Sequence, residues 1–316
     1  MARAICWTLV HSLWQGMLAA VLAGIIILWT RKSSPALRHN LLAVTLLLFL
    51  AVAGVTFWWQ FRQAAATPTA VGGMGRSAAV RDAERTTPDA LLPPGEAEWQ
   101  ITKSSTSSAL VRRITGEVNE HASAIALLWM LFLFGQLIRM AAGLYQIGRI
   151  RRHGKLPPAD AWMEKLGMLA AQLGIKRRVS LLQTGSVSVP AVIGFLKPAI
   201  LLPFGMLAHL PPDQLETVLL HELAHIKRND LLTNLLLYFA EIVFFFNPGL
   251  RWICSLIRRE REACCDDIVL ERTPDKTTYF EALVAFQQFA AGGRGFALQL
   301  AGGAERSFMA DEADAF

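Results

Sequence analysis

The sequence predicts a predominantly α-helical, multi-span membrane protein that carries a cytoplasmic α+β domain. Three observations predict it. Hydrophobic residues make up 53% of the 316-residue chain, too many for an ordinary soluble enzyme. Long apolar runs recur in the first half of the chain. The second half carries His221-Glu222-Leu223-Ala224-His225 inside a stretch of helical period.

The first apolar run, Ile5 to Trp29, ends at Arg31-Lys32. It is too long for a signal-peptide core and lacks a small-residue cleavage site. Asn40 to Phe61 is the second run, and Ala122 to Ile147 the third. Arg31, Lys32 and Arg38 lie between the first two runs with no acid among them, and Arg149, Arg151, Arg152 and Lys155 follow the third. The positive-inside rule then places the 31–39 loop and everything after residue 148 in the cytoplasm, and residues 62–121 outside. From Gln63 to Ser108 that external loop is rich in Ala, Ser, Thr, Pro and Gly and reads as weakly ordered; Val111 to Val118 reads as a helical patch. The basic residues flank spans and come with no nucleic-acid motif, so the net charge of +6 marks topology and contact with lipid rather than nucleic-acid binding. The four cysteines, Cys6, Cys254, Cys264 and Cys265, all avoid the external loop, which argues against a disulfide framework.

The expected organisation is a three-span region over residues 1–148, a cytoplasmic catalytic domain over 149–290, and a flexible acidic tail over 291–316. Within the catalytic domain, Ala159 to Leu173 reads as a helix stopped by Gly174. Val179 to Leu182 reads as a strand. Val187 to Ile193 and Ala199 to Leu202 read as a hairpin, with Pro190 suited to an edge strand. A helix is expected from Pro211-Pro212-Asp213, with Glu216 three residues after Asp213 in the manner of a capping box. Its apolar stripe is Leu215, Val218, Leu219 and Ile226.

On that helix His221 and His225 stand one turn apart on one face, where both imidazoles can share one Zn²⁺. Glu222 between them can act as general base towards the attacking water. A catalytic zinc takes three protein ligands and keeps one open position. In Arg259-Glu260-Arg261-Glu262-Ala263-Cys264-Cys265-Asp266, Glu260 and Glu262 point to nearly opposite helical faces, so only one can face the metal. Glu262 shares its face with Asp266, which makes Glu262 the expected third ligand and Asp266 the group that orients a ligand histidine. Cys264 and Cys265 are read as small buried residues, since two more thiolates would close the site. Leu231 to Phe246 is apolar, but a single membrane crossing there would part His225 from Glu262. Residues 231–246 and 250–270 are therefore expected to form a buried or interfacial helical hairpin, turned at Asn247-Pro248-Gly249. Thr273 and Pro274 read as the start of a last helix reaching Phe289. A donor for the developing oxyanion is also expected; His209 and Tyr238 are candidates by neighbourhood alone, and neither is chosen.

These residues together resemble the BlaR/MecR-type family of membrane-embedded antirepressor metallopeptidases, of the gluzincin class. The resemblance rests on His11-Ser12-Leu13-Trp14-Gln15-Gly16, on Ser188 to Pro198 with Ile200-Leu201-Leu202-Pro203, on His221 to Asp230, on Phe244-Phe245-Phe246-Asn247-Pro248, and on Arg259 to Asp266. It implies that His221, His225 and Glu262 bind zinc and that Glu222 is catalytic. It further implies a multi-pass protein of the inner membrane whose peptidase cleaves a cytoplasmic transcriptional repressor, or itself, in response to an external signal. Position 247, often His in the family, is Asn here. The family's further span and external sensor are not read in this chain, so a short or truncated member is expected. The sequence leaves homodimerisation open. Two other functions compete: a housekeeping quality-control metalloprotease of the membrane, and a non-catalytic receptor or scaffold.

Overall fold

The computed structural model of the chain describes residues 1–66, 113, 115–153, 160–185 and 187–273, and then 276, 277, 279–282, 284 and 285. The elements run α1 (Ala2–Trp29), α2 (Pro35–Ala66), α3 (Ala122–His153), α4 (Asp160–Gln172), β1 (Ser180–Thr184), β2 (Ala191–Ile193), β3 (Ala199–Pro203), α5 (Met206–His209), α6 (Pro212–Arg228), α7 (Asp230–Val243) and α8 (Pro248–Arg272). Residues 115–120 are also helical, which overlaps the patch expected there. Most of the loop expected outside the membrane, and the acidic tail, fall outside the described residues.

Among the described residues, α1, α2 and α3 are long and apolar enough to cross a membrane. By contacts the chain divides into two units, residues 1–16 with 48–134, and residues 17–47 with 135–316. In the first unit, polar side chains join the helices. Gln15 Nε2 donates to Thr56 Oγ1 at 2.9 Å, and Trp7 Nε1 donates to Asn119 Oδ1 at 3.0 Å. Such bonds tie apolar helices together where water cannot compete.

The second unit is built on a three-stranded sheet in the order β1-β3-β2, with β1 parallel and β2 antiparallel to β3. The expected hairpin is present, shortened to the pairs Ala191–Leu201, Val192–Ile200 and Ile193–Ala199. Gly194 opens its turn at φ 80°, a conformation that favours glycine. Every residue of β3 is buried, and its alternating side chains feed two apolar clusters. Ile200 and Leu202 pack with Leu166 and Leu169 of α4 and with Leu215, Leu219 and Leu223 of α6. Ala199 and Leu201 pack on the other face with Ile193. The sheet thus fixes one side of α6 and leaves its histidine face free.

Helix α6 begins at Pro212, with Pro211 as its cap and no side-chain capping bond. The expected capping box does not form. Asp213 already lies inside the first turn, where its charge favours the positive end of the helix. Glu216 instead pairs with Lys165 Nζ at 2.8 Å and helps hold α4 against α6. Helix α6 ends at Asn229, whose φ of 58° reverses the chain at once into α7. Asn tolerates that left-handed turn better than most residues.

Helices α7 and α8 form the expected hairpin. Asn247 caps α8 by accepting from the Leu250 N–H at 3.0 Å, and Arg258 grips both oxygens of Glu241 at 2.8 and 2.5 Å. With 14 residues, α7 is about 21 Å long, too short for a hydrocarbon core about 30 Å thick. Thr273 closes α8 as its C-cap, and Pro274, expected at the start of the last helix, lies outside the described residues. The described residues from 276 to 285 are helical.

Candidate metal centre

His221 and His225 rise from the free face of α6, with ring centroids 4.9 Å apart. Glu262 reaches them from α8. Its Oε2 lies 3.5 Å from His221 Nε2 and 3.5 Å from His225 Nε2. One donor atom from each of the three side chains lies within 4.8 Å of the other two. Ligands at zinc-like bond lengths on a tetrahedron stand about 3.4 Å apart. The two carboxylate–imidazole separations match that, and the donor types, two imidazoles and one carboxylate, suit a borderline divalent ion with one position left for water or substrate.

The charges fit as well. Burial opposes the charged form of His221, but Asp266 and Glu262 outweigh it and raise its pKa to about 9. Burial likewise opposes charge on His225, and Asp230, Cys265 and Glu262 raise its pKa to about 12. Burial alone would push Glu262 up; contact with the two imidazoles and Arg261 drives it far below the usual carboxylate range instead. The centre therefore favours positive charge at its middle, which a divalent cation supplies in place of the two imidazole protons.

Each of the three side chains has a partner that aims it. His225 Nδ1 lies 2.8 Å from Asp230 Oδ2, which leaves Nε2 turned towards Glu262. Asp230 is 4% exposed, and the reversal at Asn229 carries it back beneath the histidine five residues earlier. His221 Nδ1 lies 3.4 Å from Asp266 Oδ1. The Tyr279 hydroxyl donates to that same oxygen at 2.5 Å. Arg261 Nε and Nη2 donate to Glu262 Oε1 at 3.0 and 2.6 Å, while Nη1 donates to Asn234 Oδ1, so Oε2 is left for the histidines. Asp266, the residue expected to orient a histidine, lies beside His221. Asp230, Arg261 and Tyr279 are additions. Asp230 had a sequence signal in its closeness to the motif, whereas Tyr279 had none.

His225, Asp230 and Cys265 also converge, with Cys265 Sγ 3.3 Å from His225 Nδ1. The 2.8 Å contact between Asp230 and His225 is a direct hydrogen bond that leaves no room for an ion between them. Burial raises the pKa of the Cys265 thiol and pushes Cys264 up to about 11. Both side chains are buried, as expected. Glu260 points away from the centre and pairs with Arg38.

The three donors open into a cleft of about 520 Å³, lined among others by Glu222, Val192, Val218, Arg177 and Tyr279. Burial pushes the Glu222 carboxyl above the usual range, against the pull of the His225 and His221 charges. A carboxylate of raised pKa beside a metal position is equipped to take and return a proton. Strand β2 forms the opposite wall, and among the described residues its outer edge has no strand partner. Arg177 fastens the β2–β3 turn to the end of α6. It donates to the Phe195 carbonyl at 2.9 Å and to Asn229 Oδ1 at 2.5 Å. His209 and Tyr238 do not line the cleft; the tyrosine that does is Tyr279.

Comparison with known proteins adds an independent line. The regulatory protein BlaR1 of Bacillus licheniformis is 29% identical over 162 residues, which cover 50% of this chain and 26% of that protein. The methicillin resistance mecR1 proteins of Staphylococcus aureus and Staphylococcus epidermidis are each 30% identical over 96 residues, covering 30% of this chain and 16% of theirs. The chain thus spans about a quarter or less of the length of these relatives. The family model described as BlaR1 peptidase M56 matches residues 77–301, a stretch that takes in the cleft and all three donors. The chain, with its membrane-length helices and its converging donors, belongs to the BlaR1 peptidase M56 family of metallopeptidases.

Proposed function

We propose that the protein is a zinc-dependent endopeptidase of the HExxH…E gluzincin type, with His221, His225 and Glu262 as metal ligands and Glu222 as the catalytic base. The observation that carries this reading is the approach of both histidine Nε2 atoms to one oxygen of Glu262 at 3.5 Å, with Glu222 in the adjoining cleft. Bound there, zinc supplies Lewis acidity towards a scissile carbonyl and lowers the pKa of water. Glu222 takes the proton of the attacking water and returns it to the leaving amine. Asp230 holds His225 by its Nδ1–H, Asp266 places its charge 3.4 Å from His221 Nδ1, and Arg261 holds the far oxygen of Glu262. The outer edge of β2 takes up an extended peptide as an added strand beside α6.

Residues 1–148 serve as a three-span membrane region with 62–121 outside, 149–290 as the catalytic domain on the cytoplasmic side, and 291–316 as a tail. The lysines and arginines bordering the spans support this orientation. On the same reading the protein responds to an external signal by cleaving a cytoplasmic repressor or itself. The likeness to a regulatory protein named BlaR1 supports a signalling role over housekeeping proteolysis. Co-expression with candidate cytoplasmic partners, wild type against Glu222→Gln, tests it. Cleavage by the wild type alone is expected. Unaltered signalling by a zinc-loaded Glu222→Gln protein would leave a scaffold as the better reading.

A further inference from the structure

Arg38 belongs to the basic loop that the sequence assigns to topology alone. In the structure its Nε donates to Glu260 Oε2 at 2.7 Å and its Nη1 donates to the Ser33 carbonyl at 2.7 Å. Arg38 stands in the first turn of α2, and Ser33 in the turn that joins α1 to α2. Both members of the pair are largely buried, with side chains 17% and 10% exposed. The next residue, His39, is also buried. This turn is therefore seated against protein rather than left free among lipid headgroups.

Its seat is α8. Two turns before Glu260 on that helix, Trp252 approaches α1 so closely that a Cβ added at Gly24 would stand 3.5 Å from its ring. Trp252 on α1 and Glu260 on α2 thus fasten one continuous 25-residue helix to both spans. Arg261 and Glu262 follow at once on the same rigid element. Glu262 is about 3 Å further along the axis than Glu260 and faces nearly the opposite way. A rotation or slide of α8 at Glu260 must move the Glu262 carboxylate against the histidines of α6.

We infer that the Arg38–Glu260 pair is a positioning tether through which the turn between the first two spans sets the place of Glu262 in the metal centre. This rests on the metallopeptidase reading above and supplies a route by which displacement of the spans reaches the cleft. A short, charge-assisted and largely buried bond suits that role. It resists stretching, and its rupture leaves an uncompensated charge that the protein must rearrange to hydrate.

The test is a charge-reversal cycle in the full chain, purified in detergent. Zinc affinity is measured by competition with a metallochromic chelator, and folding by thermal unfolding. Arg38→Gln and Glu260→Gln should still bind one zinc per chain, because the ligands are untouched, but with affinity lowered about tenfold, as for other groups that aim metal ligands. The double variant Arg38→Glu with Glu260→Arg should regain most of the wild-type affinity, a rescue that a loss of general stability would not give. His225→Ala runs in parallel. If it keeps wild-type zinc affinity, the ligand assignment fails. If it loses zinc while the folded Arg38 and Glu260 variants bind as tightly as wild type, or the folded reversal recovers nothing, the tether is overturned.

Discussion

Glu222 lines the cleft between two histidines, yet it is not one of the three donors that converge. Binding and catalysis can therefore be separated there. Glu222→Gln keeps the size of the side chain but removes the base, so zinc should stay bound while proteolysis falls by about 10²–10⁴-fold. Zinc content and cleavage rate measured on the same preparation check this. His225→Ala and Glu262→Ala should each lose most of the zinc, because each removes one of the three converging donors. The protonation of the metal-free centre gives a further expectation with a definite sign. His221, with a pKa raised to about 9, carries a proton at neutral pH, and zinc must displace it. Apparent zinc affinity should then climb about tenfold per pH unit for each proton displaced, and the His221 share of that climb should end above about pH 9. Calorimetry in two buffers of different ionisation enthalpy counts the protons. Release of fewer protons at pH 7 than at pH 10 would contradict the assignment. The proposed ligands and base are legible in the sequence because the spacing within each helix is local, i,i+4 for His221 and His225 and for Glu262 and Asp266. Asp230 is less so, since its role depends on the left-handed turn at Asn229. Tyr279 and Arg38 are not legible at all: only the tertiary fold brings them to Asp266 and Glu260.

At the scale of the element, the hairpin of α7 and α8 answers the question posed by an apolar run between two ligands. The run is a short helix that returns, and the Asn247 cap with the Arg258–Glu241 clamp makes the return firm. Leu231, Leu232, Leu235 and Phe239 nevertheless leave apolar surface exposed along α7, at spacings of one helical face. Surface of that kind is out of place in water and suited to the acyl chains at a membrane boundary. A fluorescent label at position 235 should thus be quenched by lipids with brominated acyl chains, while one at the exposed Lys227 position should not. Equal quenching at both sites would remove the membrane contact of α7. The strands show the same division between local and distant signals. Turn chemistry over Gly194 to Pro198 marks the β2–β3 hairpin. The parallel partnership of β1 with β3 has no such mark, because parallel strands meet through a long connection rather than a turn.

For the whole molecule, the charges around the spans and the metal centre must agree on one side of the membrane. Arg38, counted among the cytoplasmic basic residues, is bonded to Glu260 on the helix that carries Glu262. The 31–39 loop and the metal centre therefore share a compartment whichever way the chain is inserted. The proposal that this compartment is the cytoplasm rests on the positive-inside rule. Single cysteines in a cysteine-free background, labelled in intact cells with an impermeant reagent, read the answer directly. Asp213 is a suitable reporter for the catalytic side because it is exposed, whereas its neighbour Leu215 is fully buried and would stay silent in either orientation. A cysteine at position 90, in the loop expected outside, should label in intact cells. A cysteine at position 213 should label only after the membrane is opened. The reverse pattern would place the cleft outside the cell. A peptidase so placed could not reach a cytoplasmic repressor, and self-cleavage or an external substrate would then be the only targets open to it.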